Sequence, residues 1–131
     1  LAAESIVNDG NSLVIRLGPL FGPNLKKGVL IDMLYNSKVY IGKKSRYAFA
    51  PVDFATNWIA KNMDRNGIWE VGAKNSISLE NLADKLGLNV EFEGLENHQE
   101  IQTIEEDYPD VNLVIDFMKN QEKYKNGRNE N

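Results

Sequence analysis

Apolar positions along the chain gather into short runs separated by Gly, Pro and Asn turns, a pattern that predicts alternating strands and helices. The clearest run is residues 12–17, Ser-Leu-Val-Ile-Arg-Leu, which is nearly continuous, as in a parallel strand covered on both faces. Residues 2–7 carry an apolar pattern that ends before Gly10, which favours the last turns of a helix with a glycine stop. The chain therefore opens with a predicted helix end followed by a predicted central strand.

The next segment predicts a shaped loop at the carboxyl end of that strand. Gly18-Pro19 and Gly22-Pro23 bracket Leu20-Phe21. Because the prolines lack an amide donor and the glycines relax the backbone, we expect neither a helix nor a strand ladder here. Ligands of open α/β sheets bind at the carboxyl ends of strands, so this loop is a candidate site. A rigid turn without a ligand fits the same residues.

The rest of the chain continues the alternation of elements and ends in a polar tail. Asn24, Asp53 and the segment 76–78 are expected to begin helices, and Gly87 is expected to end the third of them. Residues 121–131 are polar and lack periodicity, which predicts disorder. The predicted helices are residues 24–36, 53–66, 79–87 and one after Pro109. The predicted strands are 39–41 and 47–49, which would form a strand pair or a strand–loop–strand, together with 68–71 and 90–93.

Composition narrows the class of protein. The 131 residues are 42% hydrophobic and 26% charged, which predicts one globular domain. No apolar run reaches the ~18 residues of a membrane span and no leader pattern opens the chain, so no membrane partner is expected. With no cysteine and one histidine, His98, neither thiolate chemistry nor a metal site is expected, and a cytoplasmic location fits. The formal net charge of −4 argues against a nucleic-acid partner.

Arg46 is a second candidate for binding chemistry. It lies beside Lys43 and Lys44 in a basic segment between two predicted strands. A guanidinium offers paired donors that suit a phosphate or a pyrophosphate. The alternative is a solvated loop cation, and local charge by itself favours that alternative.

Four segments, taken in order, carry a more specific signal. They are residues 1–7 (LAAESIV), 13–23 (LVIRLGPLFGP), 46–55 (RYAFAPVDFA) and 67–72 (GIWEVG). This ordered set resembles the C-terminal half of the extended short-chain dehydrogenase/reductases, the NAD(P)-dependent nucleotide-sugar epimerases, dehydratases and reductases. The resemblance implies an α/β fold made of the end of a Rossmann-like parallel sheet plus a small α/β substrate-binding lobe.

The resemblance also implies how the chain is organised. It covers residues 1–94, which would be the C-terminal substrate-binding part of such an enzyme. Residues 95–120 would form an acidic segment and a C-terminal helix, and residues 121–131 a disordered tail. The catalytic Tyr-x-x-x-Lys pair and the glycine-rich cofactor fingerprint of the family would lie before Leu1, so the chain is expected to begin inside a longer protein.

A chain with these boundaries carries no catalytic residue of its own. The intact parent would use NAD or NADP, whereas the isolated chain is expected to bind no cofactor and to be inactive alone. Its implied partners are a nucleotide-sugar substrate, the missing N-terminal Rossmann portion and a second copy in a homodimer. The implied site residues are Gly18 and Pro19 for the cofactor and Leu20, Phe21, Gly22 and Arg46 for the substrate.

One departure and two alternatives accompany the resemblance. The family's usual Tyr-Gly-Pro is Phe21-Gly22-Pro23 here, so a contact that needs the tyrosine hydroxyl is absent. A stand-alone, non-catalytic nucleotide-sugar-binding or protein-interaction domain is the main alternative, with residues 96–107 as its partner face. A catalytically altered, NAD-binding regulator is the other.

Overall fold

The computed structural model describes residues 2–8, 11–35 and 38–129, in which short strands alternate with helices in a mixed α/β fold. None of the helices in these ranges is long and apolar enough to cross a membrane. The strands are β1 (Ala2–Asn8), β2 (Asn11–Leu17), β3 (Leu20–Phe21), β4 (Lys38–Val39), β5 (Arg46–Tyr47), β6 (Ala50–Pro51), β7 (Gly67–Val71), β8 (Ile77–Ser78) and β9 (Glu91–Phe92). The helices are α1 (Val29–Tyr35), α2 (Val52–Lys61), α3 (Leu79–Leu86), α4 (Leu113–Lys119) and α5 (Glu122–Asn129).

The main sheet has the order β1-β2-β7, and its parallel half was predicted from the sequence. Strands β2 and β7 run parallel, in a register that starts at Leu13 opposite Gly67. Leu13, Ile15 and Val71 are buried on the inner face of this pair. On the other face of β2, Ser12 and Arg16 are exposed and Val14 is half-buried, so the predicted burial of both faces is wrong. The parallel pairing with β7 nevertheless confirms the predicted α/β class.

Strand β1 corrects the prediction of a helix end at residues 2–7. It pairs antiparallel with β2, from Ala2 opposite Leu17 to Asn8 opposite Asn11. The ladder supplies inter-strand partners to backbone groups that a helix would have bonded internally. The apolar spacing of residues 2–7 is compatible with a helix or a strand. Residues 2–8 form a strand because they pair with the edge of β2 that β7 does not occupy.

The Gly/Pro loop contains a short strand, which corrects the prediction that no ladder forms there. Leu20 and Phe21 form β3, which pairs in parallel with β6. The prolines of the loop flank β3 rather than lying within it, so they remove no donor from that strand. The carbonyl of Pro19 even accepts a hydrogen bond from the amide of Ala50, at 3.0 Å.

Two helices begin where the sequence did not predict. Helix α1 starts at Val29, after Gly28, whose φ of +109° cannot belong to a right-handed helix, so the predicted cap at Asn24 is wrong. Helix α2 starts one residue before Asp53, and the residue at its N-cap is Pro51, which makes no side-chain capping bond. Pro51 has a φ of −62° and a ψ of 138°, the extended conformation usual at an N-cap, and the helical conformation begins at Val52.

Helix α3 confirms both of its predicted ends. The hydroxyl of Ser78 accepts a hydrogen bond from the amide of Asn81 at 3.2 Å, which is the capping contact expected of a serine. Gly87 follows the last turn with a φ of +67°, the left-handed conformation that glycine adopts without strain.

The remaining pairings are long-range, and the strands predicted at 39–41 and 47–49 do not pair with each other. Strand β4 pairs in parallel with β9, and β5 pairs antiparallel with β8. The tail predicted to be disordered carries α5, which contacts α1. The ammonium of Lys123 lies 5.5 Å from the ring centroid of Tyr35, a contact that supplies stabilisation which the helix's own polar sequence does not.

Candidate functional site

The predicted cofactor-binding residues lie at the carboxyl end of β2 and are held by backbone hydrogen bonds. The amide of Gly18 donates to the carbonyl of Val71 at 2.8 Å. A Cβ atom at Gly18 would lie 3.3 Å from Ile101 Cγ2 and 3.4 Å from the same carbonyl of Val71. A side chain is therefore accommodated poorly, and the glycine is explained by close packing between the two parallel strands and Ile101. Pro19 follows, with its carbonyl bonded to Ala50 as described above.

The predicted substrate-binding loop residues line a shallow apolar cleft of about 390 Å³. Phe21 is 6% exposed, and its ring centroid lies 5.0 Å from that of Phe117 on α4. The ring thus anchors the loop to the core beside the cleft. The lining residues are Leu20, Phe21, Gly22, Pro23, Asn24, Leu25 and Val52.

Arg46 borders a second cleft, of about 340 Å³, whose polar lining includes both signs of charge. Arg46 and Lys74 contribute the cations of this lining, and Glu100 contributes a carboxylate. The guanidinium donates from Nε to Ser76 Oγ at 3.0 Å and from Nη2 to the carbonyl of Ser76 at 2.8 Å. The Ser76 hydroxyl in turn donates to Glu100 Oε2 at 2.8 Å. A three-residue chain of hydrogen bonds therefore fixes one edge of the guanidinium.

The acidic segment, residues 96–107, runs along β5 and forms one wall of the Arg46 cleft. The amide of Gln99 donates to the Arg46 carbonyl at 2.8 Å, and the Gln99 carbonyl accepts from Ala48 at 2.9 Å. The amide of Asn97 donates to the buried Ser45 hydroxyl at 2.8 Å. This packing turns one face of the segment inward, an arrangement that no pattern in the sequence predicted.

His98 is exposed, and its ring contacts the backbone of Arg46. Its Nδ1 accepts the Arg46 backbone N–H at 3.1 Å, so Nε2 carries the proton of the neutral ring and donates to Glu96 Oε2 at 3.1 Å. The imidazole therefore serves as a backbone acceptor that holds the acidic segment against β5.

The loop cleft and the Arg46 cleft share no lining residue. Ile101 lines the Arg46 cleft, and its Cγ2 is also the atom nearest to a Cβ placed on Gly18. The structure therefore places the start of the predicted cofactor loop behind one wall of the Arg46 cleft. Leu20, Phe21 and Gly22 line a different opening.

Two buried tyrosines have raised pKa values. Burial raises the pKa of Tyr47, and burial together with the nearby Glu105 and Asp107 carboxylates raises that of Tyr108. The Tyr108 hydroxyl donates to the carbonyl of Glu70 at 2.6 Å, so it is a structural donor and not an accessible base. In the described part of the chain, acidic and histidine side chains form no group of three able to hold a metal ion.

The fold described above is that of one part of the nucleotide-sugar epimerases and dehydratases. A UDP-N-acetylglucosamine 4-epimerase from Methanobrevibacter ruminantium M1, solved with UDP-N-acetylmuramic acid, matches with a TM-score of 0.64 and 14% identity over 88% of this chain. The NAD-dependent NDP-hexosamine 5,6-dehydratase TunA matches with a TM-score of 0.55 and 12% identity over 83% of this chain. MoeE5, solved with UDP-glucose and NAD, matches with a TM-score of 0.54 and 12% identity over 87% of this chain.

This chain spans less than half the length of those structures, covering 46% of each of the three. Protein-family models and curated protein sequences give no match to it. The resemblance identified from the four sequence segments is thus confirmed at the level of the fold, including its limited coverage.

Proposed function

We propose that this chain is the nucleotide-sugar-binding part of an NAD(P)-dependent nucleotide-sugar epimerase, dehydratase or reductase. The observation that carries the proposal is the likeness over 88% of this chain to an epimerase structure that holds a UDP-sugar. The Arg46 cleft supports it, because it presents a guanidinium beside a second cation, Lys74. Both are groups that bind phosphate oxygens.

Arg46 is assigned to the diphosphate of the substrate. Its Nε and Nη2 hydrogens on one edge are engaged by Ser76, while no acceptor among the described residues bonds to Nη1. The Nη1/Nη2 edge can therefore make two parallel hydrogen bonds to a phosphate. Lys74, on the same cleft, adds a point charge.

The Gly/Pro loop is assigned to the wall beside the reacting sugar and the nicotinamide. The apolar cleft at Leu20, Phe21 and Gly22 suits the carbon faces of a sugar ring. The amide of Gly18 is committed to Val71, and Pro19 has no N–H, so the backbone of these two residues has no hydrogen-bond donor to offer a cofactor. The bound dinucleotide supplies hydride acceptance and donation, and this chain's contribution is to orient the substrate.

We retain the domain boundaries that the resemblance implies. Residues 1–94 form the substrate-binding part, and the segment after residue 95 completes the Arg46 cleft through Glu100 and Ile101. The catalytic base and the cofactor fingerprint are assigned to a preceding portion of a longer protein.

The test is to express the complete reading frame that contains this chain and to follow UDP-sugars with NAD or NADP by NMR. We expect epimerised, dehydrated or reduced product, and we expect Arg46→Ala to raise KM at least about tenfold, as for a lost charge-assisted pair. Lys44→Ala is the matched control, since it removes the same charge from the same basic segment outside the cleft. Binding of UDP-sugars without turnover would favour the non-catalytic alternative, and the absence of both would refute the proposal.

A further inference from the structure

The Arg46 guanidinium meets its environment through two edges with different partners. The edge formed by Nε and Nη2 is filled by one residue, Ser76, through its side-chain oxygen and its carbonyl. Nη1 bonds to no acceptor among the described residues, so the edge formed by Nη1 and Nη2 is open, and Arg46 lines the cleft. A planar group held along one edge has its other edge fixed in direction.

The direction of the Ser76 hydroxyl depends on Glu100. A hydroxyl has one proton to donate, and the Glu100 carboxylate accepts it at 2.8 Å. With the proton directed at Glu100, the lone pairs of Ser76 Oγ face the Arg46 Nε–H, at 3.0 Å. A carboxylate accepts only, so it cannot reverse this arrangement while it is ionised.

Glu100 is itself held in place relative to Arg46. It directly follows Gln99, whose amide bonds to the Arg46 carbonyl and whose own carbonyl accepts from Ala48. The backbone that carries the carboxylate is thereby paired with the strand that carries the guanidinium. Glu100 and Arg46 are therefore connected twice, through the Ser76 side chain and through the backbone hydrogen bond between Gln99 and Arg46.

We propose that Glu100, acting through Ser76, is a positioning residue that aims the free edge of Arg46 into the cleft for paired contact with a phosphate. The inference rests on the phosphate role proposed for Arg46. It adds two residues, separated by 24 positions in sequence, to the machinery of that site.

The positioning role predicts that removing Glu100 changes anion affinity in the opposite direction from simple charge repulsion. Glu100 lines the same cleft as Arg46, so removing its negative charge should strengthen anion binding if only long-range electrostatics act. If Glu100 positions the guanidinium, removing it should weaken anion binding, since Arg46 then loses its fixed direction.

The experiment measures binding of UDP by calorimetry to the protein expressed from the complete reading frame that contains this chain. Ser76→Ala and Glu100→Ala are each expected to weaken binding about tenfold. Ser76→Thr keeps the hydroxyl and is expected to restore affinity to within about twofold. Glu106→Ala is the matched control for charge: Glu106 is exposed, outside the cleft, and its removal is expected to leave affinity unchanged or slightly higher.

A spectroscopic measurement reads the positioning directly. The Arg46 Nε–H signal is identified by its loss in Arg46→Ala, and its chemical shift and solvent exchange report the bond to Ser76. We expect the signal to shift and exchange faster in Ser76→Ala and Glu100→Ala, and to keep its position in Glu106→Ala. If Glu100→Ala does not fold, Glu100→Gln replaces it, with a smaller loss of the same sign because its amide oxygen still accepts from Ser76.

The outcomes separate this inference from the proposed function. UDP binding that weakens in Arg46→Ala but is equal or tighter in Glu100→Ala overturns the positioning role and leaves the phosphate role standing. UDP binding that is unaffected by Arg46→Ala overturns the phosphate role itself. An Arg46 Nε–H signal that does not move in either variant overturns the positioning role irrespective of affinity.

Discussion

Gly22 allows a sharp test of how the apolar cleft is built. A Cβ atom at this position would lie 2.6 Å from Val52 Cγ1, well inside van der Waals contact. Val52 is the first residue of α2, where a β-branched side chain has few χ1 alternatives. Gly22→Ala should therefore force a shift of Val52 or of the loop.

The magnitude follows from two opposing effects. Overpacking of this kind costs about 1–3 kcal/mol. Replacing glycine by alanine lowers the entropy of the unfolded chain, which stabilises by about 0.4–1 kcal/mol where the backbone allows it. Gly22 does not have a positive φ, so the backbone does allow it. We expect Gly22→Ala to lower the free energy of unfolding by roughly 1 kcal/mol, the difference between the two effects.

Removing Val52 Cγ1 should reverse the direction of the stability change caused by Gly22→Ala. Val52→Ala deletes Cγ1 and leaves Cβ, which lies 3.6 Å from the position that a Cβ atom at residue 22 would occupy, an ordinary contact. In the Val52→Ala background, Gly22→Ala should then raise the free energy of unfolding by roughly 0.5 kcal/mol. The expected coupling between the two substitutions is about 1.5 kcal/mol, within the range for residues in contact.

Urea denaturation followed by tryptophan fluorescence gives the four values of this double-mutant cycle. The single variant Val52→Ala supplies the reference, and its own effect is expected to be small because Val52 is 38% exposed. Equal destabilisation by Gly22→Ala in both backgrounds would mean that Val52 is not what excludes the side chain, and would refute the steric explanation.

Two further predictions concern stability. Ser78→Ala should lower the free energy of unfolding by about 1 kcal/mol, because the Asn81 amide loses its capping hydrogen bond. Ser12→Ala is the control, since Ser12 lies at an exposed strand position and its substitution should change the free energy of unfolding little. Denaturant midpoints of the two variants compare these effects. Burial raises the pKa of Tyr108 in the folded state above its value of about 10 in the unfolded chain. The protonated hydroxyl therefore contributes its full stability below a pH of about 10, and this contribution is lost as the pH rises above that value. Tyr108→Phe should flatten this alkaline loss and cost about 1 kcal/mol at neutral pH for the missing bond to Glu70. If Tyr108→Phe and the parent chain lose stability equally at alkaline pH, the raised pKa of Tyr108 is contradicted.

Local signals predicted the elements whose ends depend on their own residues. The strand at 68–71 and the helix that begins after Ser78 and ends before Gly87 were found where periodicity and capping residues placed them. The elements that the sequence did not predict depend instead on the segments with which they pair or pack. Residues 2–8 became a strand because an edge of β2 was open to them, and α5 formed on α1 despite its polar sequence.

The candidate site divides in the same way. Arg46 was found from a resemblance that includes the ten consecutive residues 46–55. Ser76 and Glu100 carry no local signal, since they lie 30 positions and a further 24 positions along the chain and meet Arg46 only through the β5–β8 pair and the packing of the acidic segment. Only their hydrogen bonds in three dimensions reveal them.

The parallel pairing of β2 with β7 also has a kinetic consequence. Leu17 and Val71 are partners in that pair, so the whole crossover between the two strands must be closed before the pair can form. Closing a long loop costs entropy before any contact offsets it, which makes folding slow relative to a helical chain of this length. The apolar cleft and Arg46 both belong to this crossover. A ligand that contacts both can bind only after the crossover has closed, so its binding would stabilise the folded chain against unfolding.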